Sequence, residues 1–393
     1  MLLRVRAGAE SSNLAPPGRV GASLCSARRG CRGPGVTDLD EVLERFHLTG
    51  LEYGPGLANH GPMAADAIVA LGHSALLTGW VDLYAPRLPP LEPGQAIEAG
   101  ERDAAVGDVS RMSDWVASFE RDLAEGDWRD VLQRELSWLA PGFFASATHG
   151  WLRVAHAVRA LLREETAVRR RELAFGLGLW AARFQRLPGT PGARAAVTPI
   201  EALMALEPVA PELRRPGLFF DAVRVLDDDS AFRECVESID LTKAPVGETI
   251  RTLCCAGASL YLANPQSRVG YAHAVTATSA LRLVEPVVDE ACLRELLGHA
   301  VQSAFALHAV LSEARGDASS SPDAPEPSEE VRRMAEHPEE IRYRAACSLR
   351  EHAIKLAEAC LREDAIAPDP LLRLAAADAA VELEGARSWG DQA

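Results

Sequence analysis

The sequence predicts an all-α protein, and three observations carry that expectation. The chain is enriched in Ala, Leu, Arg and Glu, all good helix formers. Apolar residues recur with a helical period along most of it. Runs of alternating β-branched and polar residues flanked by Asn-Gly or Asp-Gly turns are missing.

Taken in order, residues 1–36 are rich in Gly, Pro, Ser and Arg without hydrophobic periodicity, which predicts a disordered extension. From Thr37 the stretch TDLDEVLERFHL opens with a cap and an acidic first turn, as a helix start does. Helices are then expected at 60–72, 74–84, 111–124, 128–138, 143–164, 170–186, 229–239, 247–262, 267–283, 289–315, 329–364 and 368–384. Proline-rich joints fall at 86–93, 188–199 and 208–216. The segment GDASSSPDAPEPS at 316–328 reads as a flexible insertion. No sustained period of 30–45 residues is present, and nothing marks a second domain. The expectation is a single large multi-helix domain over 37–386.

Composition excludes several classes of function. A net charge of −15 over 393 residues leaves no basic face for nucleic acid, and it does not suit docking on an anionic membrane. No apolar run reaches the ~18 residues a spanning helix needs. The N-terminus lacks the apolar core of a signal peptide. The eight cysteines form no CxxC pair and no spaced quartet, so reduced thiols in a cytoplasmic protein are expected. Oligomeric state is not legible.

Familiar catalytic fingerprints are missing too. No GxGxxG follows a strand, and FGLGLW at 175–180 falls within a helical pattern. GxxxxGK[ST], HExxH and GxSxG are absent. Chemistry here needs a metal, electrons from the substrate, or a site assembled from separated residues.

Four histidines have distinctive surroundings. His60 follows Asn59 and precedes Gly61-Pro62, so it lies at a helix N-terminus, where the positive end of the helix dipole disfavours imidazolium and keeps the ring available as a ligand. His149 stands beside Thr148 and Gly150, small residues that permit close approach. His273 lies in GYAHAVT and His352 in REHAIKL. His352 and Lys355 are three residues apart, hence on one helical face.

Lysine itself is informative: of 41 basic residues only Lys243 and Lys355 are lysines. Lysine can lose its proton when buried and act as nucleophile or base, or add carbon dioxide, whereas arginine stays charged. Lys355 as a carbamate is a carboxylate-like ligand. Histidines with one such oxygen donor and an open position suit non-haem iron.

The other histidines fit less well. His156 shares a face with His149 but lies ~10 Å along the axis, which suits a supporting or core role. His299 and His308 fall on opposite sides of one helix. His47, His73 and His337 read as structural or solvated. A histidine satisfied by packing and one hydrogen bond is the ordinary outcome for each taken alone.

The blocks NHGPMAADAIVALG at 59–72, ATHGWLRVAHAVRALL at 147–162, ELAFGLGLWAARFQRLPG at 172–189, LTKAPVGETIRTL at 241–253, GYAHAVTATSALR at 270–282 and EHAIKLAEAC at 351–360 resemble, in order, the questin oxidase-like family. That resemblance implies a helical oxygenase without a flavin domain that acts on aromatic polyketides, with anthraquinone ring opening as its reference reaction. It also implies non-haem ferrous iron bound by histidines and a modified lysine. Carried over by position, the ligands are His60, His149, His273, His352 and Lys355, with Lys355 and His352 also in the catalytic role. Where fungal members have a second histidine shortly after the one matching His149, this chain has Arg153, which leaves the fourth histidine ligand open.

Three readings follow. In the leading one, iron and dioxygen oxidise a polycyclic phenol or quinone, with Asn59, Trp151 and Tyr271 contacting substrate and Phe143 and Trp180 adding flat walls. Lys243 is either a contact near the pocket or a solvated loop residue. The second is a Baeyer–Villiger-type monooxygenase that draws electrons from diffusing NADPH. The third is a non-catalytic helical scaffold with its histidines dispersed through the core.

Overall fold

A computed structural model describes residues 38–312 and 326–383. The extension expected at 1–36 lies outside them, as does all but the last three residues of the insertion expected at 316–328. The protein is all-α apart from one short hairpin, Glu52–Tyr53 (β1) paired antiparallel with Leu57–Ala58 (β2).

The helices follow the amphipathic pattern closely in the first half. They are α1 (Leu39–Phe46), α2 (Gly61–Ala70), α3 (Leu77–Tyr84), the short α4 (Arg102–Ala105), α5 (Met112–Glu125) and α6 (Trp128–Leu139). α7 (His149–Arg163) and α8 (Ala167–Ala182) then form a tight pair. A Cβ on Gly150 would lie 2.7 Å from the Trp180 backbone, and one on Gly176 2.8 Å from the Val154 nitrogen. The glycines of FGLGLW therefore serve close helix packing, not a phosphate-binding turn.

After a long connection come α9 (Pro199–Ala205), α10 (Phe219–Ala222), α11 (Ser230–Ser238), α12 (Val246–Ala263) and α13 (Arg268–Ser279). The chain closes with α14 (Leu281–Val284), α15 (Glu290–Leu311), α16 (Glu329–Ala335), α17 (Pro338–Cys347), α18 (Glu351–Ile366) and α19 (Pro370–Val381). One buried apolar cluster draws on residues from Leu39 to Leu383. No helix among the described residues is long and apolar enough to cross a membrane.

Several boundaries differ from the sequence expectation. The helix expected over 329–364 is three helices, α16 to α18. Pro338 supplies no N–H and starts a new helix, and Leu349 at φ 58° turns the chain into α18. The helix expected from 143 begins only at His149, because Ser146, Ala147 and Thr148 are all left-handed, with φ of 51°, 54° and 72°. The helix expected over 267–283 stops at Ser279 and restarts as α14. α9 was not expected at all; a capping box between Thr198 and Glu201 starts it at the edge of a proline-rich joint.

Four helices position the site. α18 packs against α2, α13 and α19, and α2 packs against α7. His60 precedes α2, His149 opens α7, and His352 lies in the first turn of α18. Three helix N-termini thus meet at one place, with His273 entering from the middle of α13.

A candidate metal centre at the meeting of four helices

His60, His149 and His352 each offer a ring nitrogen within 4.8 Å of the others, and all three are buried. His273 joins them: its Nε2 lies 3.3 Å from Nε2 of His352, and its ring centroid is 4.5 Å from that of His149. Two nitrogens each ~2.1 Å from one ion, at angles of ~90–109°, lie ~3.0–3.4 Å apart. The His273–His352 separation falls in that interval.

Backbone carbonyls fix the tautomers. Nδ1 of His60 lies 2.5 Å from the Ala58 carbonyl and Nδ1 of His149 lies 2.6 Å from the Ser146 carbonyl. Donation to these carbonyls puts the proton on Nδ1 and leaves Nε2 bare. His273 makes a corresponding backbone hydrogen bond to Ala147. The left-handed turn at 146–148 thus presents two successive carbonyls to two candidate ligands. Three non-glycine residues in that conformation cost roughly 1–2 kcal/mol each, which is strain concentrated at the site.

Burial holds all four imidazoles neutral. It is the largest cause of lowering at His60, His149 and His352, each well below the usual histidine range, and it pushes His273 down to about 3. The Lys355 charge acts in the same direction on all four. The lysine responds in turn: burial brings its amine down to about 7, with Glu351 opposing.

The strongest mark of a missing partner is the set of orphaned atoms. Nε2 of His60, Nε2 of His149, Nδ1 of His352 and Nζ of Lys355 are buried with no hydrogen-bond partner. Among the described residues, every other buried side-chain nitrogen or oxygen in that condition belongs to an arginine. An unsatisfied buried polar group costs ~1–3 kcal/mol, so the bare Nε2 atoms of His60 and His149, with the Lys355 amine, are a place where a cation with its ligands fits; the orphaned Nδ1 of His352 is on the other edge of a ring whose Nε2 meets His273. Neutral imidazoles with bare Nε2 atoms are the donor set a first-row transition metal takes.

Behind the centre lies a network of ion pairs. His156 Nδ1 lies 2.7 Å from Asp66, which also binds Arg159 and Arg163, and Arg159 and Arg362 both bind Glu358. His156 therefore supports the wall behind Lys355 and stays out of the centre, in line with its seven-residue offset from His149. Arg153 forms a two-pronged bond to Glu172, which His47 also contacts at 3.0 Å. Arg153 is thus committed to Glu172, and four histidines gather without help from its position. His308 meets the Tyr271 hydroxyl and His299 meets Gln302, so neither belongs to the centre.

An open cavity leads to the histidines. Counted out to its mouth it is about 620 Å³, and His60, His149, His273 and His352 lie on its wall. Its aromatic lining is Tyr53, Phe219 and Phe220.

None of the residues expected at the substrate lines it. Asn59 accepts the Gly61 N–H at 2.9 Å and donates to Gly50, so it orients the start of α2 behind His60. Trp151 is fully buried, and its indole donates to the Ala277 carbonyl at 2.9 Å. Tyr271 is spent on His308. Phe143 and Trp180 pack on Trp151 as core. Lys243 is exposed and donates to the Ala196 carbonyl at 2.6 Å. The lining aromatics were not singled out in the sequence because they sit in the β1–β2 hairpin and the short α10, where no periodicity marks a face.

Compared with protein-family models the chain matches none, and a comparison with curated proteins finds no match either.

Proposed function

We propose that the protein is a non-haem iron oxygenase of a polycyclic phenol or quinone, the activity that its resemblance to questin oxidase-like proteins implies. The observation that carries this reading is the set of orphaned nitrogens of His60, His149, His352 and Lys355 at the end of an open cavity. A structural core would have paired them.

Ferrous iron held by the histidines supplies the electron-transfer chemistry toward dioxygen that no side chain can provide. The chain's own residues do the rest. The carbonyls of Ala58 and Ser146 keep the Nε2 lone pairs of His60 and His149 aimed inward. The Lys355 amine, brought down to about 7, is unprotonated in a large fraction of molecules near neutrality. A neutral amine adds carbon dioxide, forming a C–N bond and releasing one proton, and the resulting carbamate gives an oxygen donor that balances the cation's charge. Tyr53, Phe219 and Phe220 offer flat apolar surface to a planar ligand. With a hydroquinone substrate, a dioxygenase outcome places both oxygen atoms in the product and the substrate supplies all the electrons, so no reductant is consumed.

Elemental analysis after anaerobic reconstitution is the test. About one iron per chain, lost in Lys355→Arg and in His149→Ala, is expected. Oxygen uptake with the hydroquinones of hydroxylated anthraquinones should then proceed without NADPH. A chain that takes up no transition metal refutes the oxygenase reading.

A further inference from the structure

Seven carboxylate side chains are buried among the described residues, and six of them hold an arginine. Asp66 and Glu358 pair with Arg159, Glu135 with Arg134, Glu172 with Arg153, Glu363 with Arg282 and Asp378 with Arg268. The seventh is Glu351, which is 4% exposed and makes no ion pair with an arginine among the described residues; its counter-charge is Lys355, four residues on in α18, and its oxygens are not among the buried side-chain atoms left without a partner. A carboxylate that holds no arginine needs another partner or access to water.

Its location accounts for the exception. Glu351 lies on the wall of the open cavity beside His352, and among the described residues it is the only formally charged side chain on that wall. It precedes His352 directly, and the three histidines whose ring nitrogens converge within 4.8 Å do not include it. An acidic residue in the first turn of α18 also complements the helix dipole, but that role is served equally well by a solvated side chain and does not explain burial on a cavity wall.

We propose that Glu351 is a specificity-determining residue of this cavity: its carboxylate accepts a hydrogen bond from a hydroxyl group of the bound aromatic. The inference rests on the cavity being the substrate site of the histidine centre. An ionised carboxylate only accepts, so the ligand group that meets it must be a donor. A phenol satisfies it, an aryl ether leaves it unpaired, and a carboxylated or phosphorylated aromatic is repelled. Phe219 and Phe220 are indifferent to that choice; the neutral histidines, Ser146 and Tyr53 can also meet a phenol, and Glu351 adds the charge that disfavours an anionic ligand.

The test compares three naphthalene probes on the full chain, both metal-free and anaerobically loaded with ferrous iron. They are 2-naphthol, 2-methoxynaphthalene and 2-naphthoate, with dissociation constants from fluorescence titration and iron content measured in parallel. Wild type should prefer naphthol to its methyl ether by roughly ten- to a hundred-fold, the worth of a hydrogen bond to a charged acceptor, and should reject naphthoate. Glu351→Gln should bring the naphthol preference below about threefold and admit naphthoate, with iron content unchanged. Glu351→Asp should still reject naphthoate with a reduced naphthol preference, and it serves if the glutamine variant fails to fold. An unchanged ratio in the variants, naphthoate bound as tightly as naphthol by wild type, no binding of any probe, or loss of iron in Glu351→Gln would each overturn the assignment. Phenol selection that depends on Glu351 in a chain that takes up no iron would sink the oxygenase reading and leave this one standing. Iron uptake with selection unaffected by Glu351 would do the reverse.

Discussion

Replacing Lys355 with methionine should stabilise the metal-free protein while destroying its capacity to hold iron. The amine is 2% exposed and its nitrogen has no partner. Burial lowers its pKa from 10.5 to about 7, so the unfolded chain holds the proton more tightly than the folded one. The sign follows from linkage: below pH 7 the folded state bears the full cost, between pH 7 and 10.5 the cost fades as pH rises, and above 10.5 it is gone. At about 1.4 kcal/mol per pKa unit the full cost is about 5 kcal/mol, and about 4 kcal/mol of it remains at pH 7. Methionine has similar length, no charge and a flexible stem that fills the same space. Denaturant unfolding of metal-stripped protein in carbonate-free buffer is the assay. The variant should exceed wild type by about 2–4 kcal/mol at pH 7, and the two should converge near pH 10. A variant that is less stable at pH 7, or a difference that ignores pH, would show that the amine is satisfied in the fold and would remove the main reason to regard Lys355 as a ligand in waiting.

Three further outcomes are expected. Ala147→Gly relieves one left-handed residue and should leave the metal-free protein within about 1 kcal/mol of wild type; the loosened turn should weaken iron affinity at least tenfold, measured by competition with a chelator. Glu358 is held down at about 2, against an ordinary 4.5, by Arg159 and then Arg362 despite its burial. Its contribution is therefore complete above pH 4.5 and lost as pH falls toward 2, so Glu358→Gln should flatten the acid limb of the stability profile by up to about 3 kcal/mol in urea unfolding. Trp151→Phe deletes the donor to the Ala277 carbonyl and should cost about 1–3 kcal/mol in unfolding free energy, while iron content stays at the wild-type level because Trp151 is off the cavity wall.

The site was legible where residue type was improbable for its surroundings. Lys355 stood out because arginine fills nearly every other basic position, and a buried arginine could not serve as a neutral donor. His60 stood out through Asn59 and Gly61-Pro62, which mark a helix start, and it does precede α2; His149 stood out through the small residues beside it, inside a helix expected over 143–164, and it opens α7 instead. The helix-axis offset that set His156 aside agrees with its pairing to Asp66. Other features leave no such trace. Whether a buried tryptophan faces a cavity or a neighbouring helix depends on packing partners distant in sequence; Trp151 and Tyr271, expected at the substrate, are buried and do not line the open cavity. The left-handed turn at Ser146–Thr148 is held by tertiary contacts, among them the Ser146 hydroxyl donating to Glu52, and no glycine announces it. Pro338 did announce a break, but the amphipathic pattern continues across it, and periodicity outweighed the proline.

The chain order of the three converging histidines bears on how the protein would come apart. His60 and His149 are about 90 residues apart and His149 and His352 about 200, so an ion bound to all three would act as a removable cross-link over very long loops. Loop-closure entropy grows only logarithmically with length, and a tie of this span withholds about 4–5 kcal/mol from the unfolded ensemble for each loop closed. Loss of the ion would therefore reach well beyond the cavity. It would free the first and last thirds of the molecule from one another, and an emptied chain should be distinguished from a filled one by protease susceptibility at helices far from the histidines.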